Sequence, residues 1–230
     1  MPDQLPEHLT DVPGVLSPLA LRAAWEMPWK ARNEIARLVI LPWVRLQFAL
    51  TGVRWGRGWR LYGAPILQIH RRARLTIGDR LNLRSTVRSN PLGPSHPVIL
   101  SARRAGAQIT IGDDFGMTGG VIVAEERITI GARVIVGANS AIVDTDFHPL
   151  DARRRQTDPS AGATAPIVIE DDVFIGMECL ILKGAHIGAG SVIGARSVVT
   201  GVIPPGVIAA GNPARVLRRL TDGEAVVREV

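Results

Sequence analysis

The chain has 230 residues, with 27 basic and 21 acidic side chains and a formal net charge of +6. Hydrophobic residues make up 46% and aromatic residues 4%, which excludes a disordered chain because such chains are poor in aliphatic residues. The single cysteine excludes a disulfide framework and a cysteine-rich zinc knuckle. Of the 27 basic residues 25 are arginine, and acidic residues are interspersed among them. We therefore expect no nucleic-acid partner despite the basic charge.

The first predicted element is a helical segment within residues 1–60, after an N-terminal tail. Ser17 has the features of an N-cap with Pro18 at the first helical position, and the helix is expected to reach about Leu50, with a kink or an end at Pro42. All five tryptophans lie here, and residues 21–60 hold eight basic against two acidic side chains. Two roles stay open, a cap over the end of the repeats that follow and peripheral contact with an anionic membrane.

The N-terminal sequence predicts a cytoplasmic location. The first 20 residues lack a basic start followed by an apolar run, which is the pattern of a secretory leader. The apolar stretch 38–50 is interrupted by Pro42 and Arg45 and is short for a membrane span. If the helix binds lipid, we expect a peripheral protein at the inner face of the membrane.

A six-residue repeat predicts the fold. Aliphatic residues recur at a spacing of six near the C-terminus, with mostly small residues four places after each; the aliphatic positions are Ile169, Ile175, Ile181, Ile187, Ile193 and Val199. Neither a helix nor a plain strand has this period. Short strands separated by turns do, and three such units make one triangular coil. The sequence therefore predicts an all-β protein, a parallel β-helix of hexapeptide repeats after an N-terminal helical segment.

The repeat continues upstream with phase slips, each of which indicates a loop. One set contains Ile130, Val136 and Ile142, and an earlier set, one residue out of phase, contains Met117 and Val123. The largest break predicts a long polar loop over 143–168, and such interruptions of a regular stack are frequently functional. A neutral surface insertion is the alternative, because long insertions cost little free energy. We predict a β-helix domain over 61–218 and a C-terminal tail over 219–230.

Three segments carry a resemblance to a known family. They read DTDFHPLDARRR at 144–155, IEDDVFIG at 169–176 and VIGARSVVTGVIPPGVIAAGNPAR at 192–215. Over roughly 75–218 the chain resembles the hexapeptide-repeat O-acetyltransferases of the maltose and galactoside acetyltransferase type. Its N-terminal helical part is more similar to relatives from polysaccharide clusters. The resemblance implies a left-handed β-helix, a homotrimer, and acetyl-CoA and acceptor sites in clefts between neighbouring β-helices.

His148 is the predicted catalytic residue. Acyl transfer to an alcohol requires a base for the hydroxyl proton, and an imidazole can serve at neutral pH. It works best when a carboxylate or a carbonyl fixes its other nitrogen. Asp144 and Asp146 are near enough in sequence to do so, or could instead cap the loop turn. The maltose and galactoside type lacks acids at these two places.

The resemblance also suggests binding residues. It implies an acetyl-CoA site in which Phe174 forms a wall, small residues line a groove, and arginines hold the phosphates; the predicted set is Phe174, Ala195, Ser197, Thr200, Arg215 and Arg218. A solvated basic surface is the alternative for the arginines. The galactoside type carries an asparagine near Met117, which is absent here, so Met117, Thr118 and Glu125 are the candidates for contact with the acceptor.

The resemblance implies acetyl-CoA-dependent O-acetylation of a sugar hydroxyl, in exopolysaccharide, capsule or lipopolysaccharide biosynthesis. The saccharide acceptor is lipid-linked if the helix binds membrane, and no metal is expected. Amine acceptors belong to the same reaction type and stay open. Two alternatives differ in class, a non-catalytic β-helix scaffold and a zinc enzyme like the γ-type carbonic anhydrases. The latter needs three histidines around the metal, and the sequence has no closely spaced histidine set.

Overall fold

The hexads fold into a triangular prism, a left-handed parallel β-helix, in a computed structural model that describes residues 25–221. Each coil advances the chain by 18 residues where the hexads are uninterrupted. Ile175 therefore pairs with Ile193, and Ile169 with Ile187. Neighbouring coils are joined by parallel strand pairs, and the prism has three faces, named A, B and C in the order in which each coil visits them. The predicted fold is confirmed.

The strands fall into one sheet per face. Face A contains β1 (Arg60–Tyr62), β4 (Asn82–Arg84), β7 (Gly116–Thr118), β10 (Ile135–Val136), β13 (Phe174–Ile175), β16 (Val192–Ile193), β19 (Val207–Gly211) and β20 (Ala214–Arg219). Face B contains β2 (Ile66–Ile69), β5 (Ile99–Ala102), β8 (Val121–Ala124), β11 (Ala141–Val143), β14 (Leu180–Leu182) and β17 (Val198–Val199). Face C contains β3 (Arg74–Ile77), β6 (Gln108–Ile111), β9 (Arg127–Ile130), β12 (Ile167–Ile169), β15 (His186–Ile187) and β18 (Val202–Ile203).

The aliphatic ladder fills the prism as predicted. All six positions from Ile169 to Val199 are at most 1% exposed, and Cys179 is fully buried at a corner. One upstream assignment is wrong. Ile122, and not Val123, points inward in register with Ile142. A phase slip therefore lies before Ile122 and not after Val123, in the tight turn at Gly119 and Gly120, which both have positive φ.

Two loops interrupt the coils, and a hairpin ends them. The first loop, residues 85–98, lies between β4 and β5 and contains a 3₁₀ turn, Val87–Ser89. The second, residues 144–166, lies between β11 and β12 and contains α2 (Ala152–Thr157). At the C-terminal end of the prism β20 pairs antiparallel with β19, so the last parallel strand of face A is not left as an open edge.

Helix α1 (Pro28–Leu50) covers the other end of the prism. Its Val44 and Phe48 are fully buried, and the Phe48 ring contacts Trp55 and Trp59 edge to face, with centroids 5.8 and 5.1 Å away. The capping role is thus confirmed. The helix does not end at Pro42, which lies on its exposed side, where a carbonyl freed by the missing N–H can bind water. The predicted N-cap Ser17 lies outside the described residues.

Glu34 fastens α1 to the first coil. Its carboxylate accepts hydrogen bonds from Arg37 at 2.8 Å, from Arg60 at 2.7 Å and from the Tyr62 hydroxyl. Burial raises the pKa of Glu34, but the three donors outweigh burial and hold that pKa below its usual range. Among the described helices, none has the length and hydrophobicity needed to cross a bilayer.

The ladder makes a stability prediction. Replacing Ile187 by alanine should lower the free energy of unfolding by about 2–5 kcal/mol, because Ile187 is fully buried and truncation leaves a cavity. Val202 on the neighbouring strand β18 is 72% exposed, so Val202→Ala should change the free energy of unfolding by less than about 0.5 kcal/mol. Urea denaturation of both variants measures the difference, and equal effects would contradict the inward assignment.

Candidate active site

The long loop leaves the prism at the edge between faces B and C. Its two ends are joined by a bridge between Thr145 and Thr164, so the loop starts and finishes beside the same corner. Asp151 caps α2 by accepting a hydrogen bond from the Arg154 amide at 2.7 Å. The bridge and the helix cap show that the predicted loop has a defined conformation.

Asp144 anchors the start of the loop. Its side chain is fully buried and its oxygens accept hydrogen bonds from the amides of Glu125 at 2.7 Å and Glu126 at 2.9 Å, in the preceding coil. Burial raises the pKa of the Asp144 carboxyl, and the main-chain donors oppose that rise. Asp144 therefore ties the loop to the prism and does not face solvent.

Glu125 is a second residue that holds the start of the loop against the prism. Its side chain is 5% exposed, its Oε2 lies 2.8 Å from Arg104, and it accepts a hydrogen bond from the Thr145 hydroxyl at 3.0 Å. These contacts occupy the carboxylate. The prediction that Glu125 binds the acceptor is therefore wrong for the side chain as the structure places it.

His148 lies exposed on the loop with its ring orientation fixed. The Nδ1 atom is 2.6 Å from the carbonyl oxygen of Pro159. A carbonyl can only accept, so this contact requires Nδ1 to donate, and the neutral ring then carries its lone pair on Nε2. Nε2, the nitrogen that can accept a proton, therefore points away from the Pro159 carbonyl.

Neither aspartate provides that anchor. The Asp144 carboxylate faces the amides of the preceding coil, and Asp146 Oδ2 lies 3.4 Å from Lys183 Nζ. The prediction that an aspartate orients His148 is wrong, because a main-chain carbonyl takes that place. Asp146 contributes through its backbone instead, since its carbonyl accepts the His148 amide at 2.6 Å.

Close packing at Gly162 holds the backbone of the histidine. A Cβ at this position would lie 2.6 Å from the carbonyl carbon of Phe147 and 2.7 Å from the amide nitrogen of His148. Phe147 itself has a φ of +61°, and Arg103 lies over its ring, 5.2 Å from the centroid. This contact could not be predicted from the sequence, because a glycine outside the repeat follows no pattern.

Three of the predicted cofactor residues share face A. Phe174, 47% exposed, stands in one outward column with Val192, Ile208 and Arg218. Three strand spacings, or about 14 Å, separate Phe174 from Arg218. Arg215 is exposed on the same strand, β20, and its guanidinium donates to the carbonyl of Ala214 at 3.1 Å. An aromatic wall and basic groups therefore lie on one surface.

The small residues predicted for the same site do not lie together. Ser197 is fully buried, donates to the Gly194 carbonyl at 2.6 Å and accepts from the Gly211 amide at 3.0 Å. Its side chain therefore belongs to the core, and its predicted place in the cofactor groove stays a prediction. Ala195 lies exposed at the edge between faces A and B, while Thr200 lies exposed at the edge between faces B and C, the edge that carries the His148 loop.

A groove of about 380 Å³ opens on face A beside the first loop. Met117 borders it, but its side chain is only 2% exposed and belongs to the core, so its contact with the acceptor stays a prediction. Thr118 also borders the groove, and its hydroxyl accepts a hydrogen bond from Asn90 at 3.0 Å. Sequence reasoning missed three further lining residues, Asn82, Arg84 and Asn90.

The groove contains polar groups available to a ligand. Asn82 Oδ1 is buried without a hydrogen-bond partner among the described residues. Arg84 donates to the Ser89 carbonyl and lies over the Tyr62 ring at 4.6 Å, without a carboxylate partner in the described part of the chain. Residues 25–221 contain no group of three or more histidine, cysteine, aspartate or glutamate side chains placed to hold a metal.

Comparison with known proteins places the fold in a family. Residues 166–201 match the bacterial transferase hexapeptide family of six repeats. A structure of a galactoside acetyltransferase in complex with coenzyme A is 32% identical, with a TM-score of 0.50, over 65% of this chain and 69% of that one. The chain belongs to the hexapeptide-repeat transferase family. A polysialic acid O-acetyltransferase shares the fold, with a TM-score of 0.59 at 19% identity over 77% of this chain and 79% of that one.

Curated hexapeptide-repeat relatives match over shorter segments. The galactoside O-acetyltransferase of Escherichia coli is 37% identical over 118 residues, 51% of this chain and 57% of that protein. A tetrahydropyridine-dicarboxylate N-acetyltransferase of Staphylococcus aureus is 33% identical over 102 residues, 44% of this chain and 37% of that protein. The chain spans roughly half the length of the curated relatives it matches, and they include both O- and N-acetyltransferases.

The close packing beside His148 makes a prediction for this hexapeptide-repeat protein. Gly162→Ala should lower kcat for acetyl transfer by about 10²-fold, because the new Cβ displaces the backbone that carries the imidazole. Gly201→Ala is the control, since a Cβ there meets no atom within 4 Å. Steady-state kinetics and a thermal melt of both variants test it. Full activity of a folded Gly162→Ala protein would contradict the positioning role.

Proposed function

We propose that the protein transfers an acetyl group from acetyl-CoA to a saccharide hydroxyl, with His148 as the general base. The fixed ring of His148 carries this proposal, because its Nδ1 is bound to a carbonyl and its Nε2 is exposed. The relatives support the acyl donor, since a 32% identical galactoside acetyltransferase binds coenzyme A. Saccharide O-acetylation in exopolysaccharide, capsule or lipopolysaccharide synthesis fits the family.

In the proposed step the acceptor oxygen attacks the carbonyl carbon of the thioester while Nε2 of His148 takes the hydroxyl proton. The carbon–sulfur bond then breaks, and the coenzyme A thiolate leaves and recovers the proton from the imidazolium. The Nδ1–H bond to the Pro159 carbonyl stabilises the imidazolium that forms in between. No covalent enzyme intermediate is required.

The site needs residues from more than one copy of the chain. In a triangular prism, the edge between faces B and C lies opposite face A. His148 is on that edge, while Phe174, Arg218 and the groove beside Thr118 are on face A. One protomer therefore cannot bring them together, whereas a neighbour whose loop overhangs face A can. We propose an oligomer on this ground, and the family resemblance implies that it is a homotrimer.

An apolar column on face B supports the same assembly. Six outward positions in register are all aliphatic, namely Ile66, Ile99, Val121, Ala141, Leu180 and Val198. The equivalent column on face C is mixed, with four polar and two aliphatic side chains, namely Thr76, Thr110, Thr129, Val168, His186 and Val202. Aliphatic surface of this kind is typical of permanent interfaces between subunits, so face B is the surface we assign to contact between copies.

The acceptor is proposed to lie in the groove on face A. Arg84, Asn82 and Asn90 offer hydrogen-bond donors and acceptors spaced along it, as recognition of several sugar hydroxyls requires. We place the reaction in the cytoplasm, where acetyl-CoA is available, and the buried thiol of Cys179 suits a reducing compartment.

The base assignment has a direct test. In a thiol-release assay with acetyl-CoA and a panel of galactosides, maltosides and amine acceptors, His148→Ala should lower kcat by about 10²–10⁴-fold on the preferred acceptor. The control His70→Ala alters another exposed histidine, in the first coil, and should keep wild-type turnover. Near wild-type turnover of His148→Ala would remove the assignment, and a preference for amines would replace the hydroxyl acceptor.

The assembly has its own test. Leu180→Glu places a charge in the aliphatic column of face B and should lower the molar mass measured by light scattering from three chains to one, together with loss of activity. Val202→Glu makes the same change on face C, where Val202 is 72% exposed, and should leave the trimer intact. A monomeric wild-type protein that is fully active would contradict the shared site.

A further inference from the structure

Helix α1 carries an apolar face that the prism does not use. Opposite the buried Val44 and Phe48 runs a stripe at spacings of three and four residues, which places its members on one side of the helix; the stripe is Ile35, Val39, Trp43, Leu46 and Leu50. These side chains are 48–77% exposed. The outer face of a helix that caps a soluble prism is normally polar, so this stripe indicates a further contact.

Exposed basic side chains accompany the stripe: Arg32 lies on its side of α1, and Lys30 and Arg54 lie near the two ends of the helix. Lys30, Arg32 and Arg54 are exposed and form no ion pair with any described residue. Glu34 cannot neutralise them, because Arg37 and Arg60 already occupy its carboxylate. Arg45 packs over the Trp55 ring, 5.2 Å from the centroid, and also keeps its charge. An apolar stripe with a cationic border is thus the surface that a partner meets.

The positions of two exposed tryptophans on α1 indicate which kind of partner the stripe binds. Trp29 is 53% exposed near the start of α1 and Trp43 is 55% exposed within the stripe. Indole rings favour the boundary between lipid headgroups and acyl chains, where the ring is half apolar and half hydrated. A helix of 23 residues, about 34 Å long, presents this combination along its whole length.

A second copy of the chain fits the stripe less well than a lipid surface does. Two helices paired through their stripes would bring the cationic borders of Lys30, Arg32 and Arg54 close to each other, and charges of one sign at an interface repel. Anionic headgroups instead supply the opposite charge to these basic side chains. The charge pattern therefore favours a membrane surface.

We propose that α1 lies flat on an anionic lipid surface, with Val39, Trp43 and Leu46 in the headgroup–acyl boundary and the basic side chains among the headgroups. The prism then stands with its N-terminal end on the membrane, because Phe48 and Glu34 fix the inner side of α1 to the first coil. This proposal does not depend on the transfer chemistry, and it gives the enzyme access to acceptors held at a membrane.

The test uses the full chain in a flotation assay with vesicles of phosphatidylcholine, alone or mixed with phosphatidylglycerol. The wild-type protein should float with the anionic vesicles, and added salt should weaken this binding. Val39→Glu should reduce the partition coefficient by about tenfold or more, since it places an anion in the stripe. Val202→Glu is the matched control, with similar exposure of the native valine (72% against 76%), and should bind as the wild type does.

Further readouts separate the outcomes. A Lys30→Glu/Arg32→Glu variant should lose the preference for phosphatidylglycerol, and Val39→Glu should keep wild-type turnover on a water-soluble acceptor. Absence of wild-type flotation with either vesicle, or unchanged flotation of Val39→Glu, overturns the proposal. A wild-type protein that does not float and whose molar mass falls on Val39→Glu substitution would instead assign the stripe to a second copy of the chain.

Discussion

Stacking of identical aliphatic positions, one coil above the next, is the constraint on which the molecule depends. Ile175 lies in register with Ile193, and Ile181 with Val199. Each inward side chain therefore packs on the equivalent residue of the next coil, and the core extends along the axis through all coils. A stack of this kind has two open ends and three outward faces. Helix α1 and the C-terminal hairpin cover the two ends, and the candidate site lies on one edge and on the face opposite to it.

The long loop shows how a rigid stack can carry a precise site. A coil tolerates an insertion at a corner because the strands on either side keep their partners, as β11 and β12 do. The inserted chain is then fixed from below, where the buried Asp144 binds two amides of the preceding coil. Glu125 then binds Thr145 at the start of the loop, and the Pro159 carbonyl, farther along the loop, orients the imidazole of His148.

The sequence predicted the parts of the structure that a period controls. The six-residue spacing fixed the inward ladder from Ile169 to Val199, and its interruption located the loop that carries His148. The contacts that orient His148 escaped prediction because a main-chain carbonyl and the close approach of Gly162 leave no mark on residue type. Burial of the Ser197 and Met117 side chains escaped prediction for a related reason, since a small or flexible residue suits a core position and a binding groove equally well.

Prism geometry also decides what one chain can do alone. Edge and opposite face never meet within a protomer, so a base on the edge between faces B and C and a binding surface on face A act on the same substrate only across a boundary between copies. A cyclic assembly that satisfies this requirement relates all copies by rotation about one axis, and it therefore brings every α1 to the same end. The apolar stripes are then presented together, and binding of one helix to lipid raises the effective concentration of the others at the surface, so the assembly binds more tightly than a single helix does.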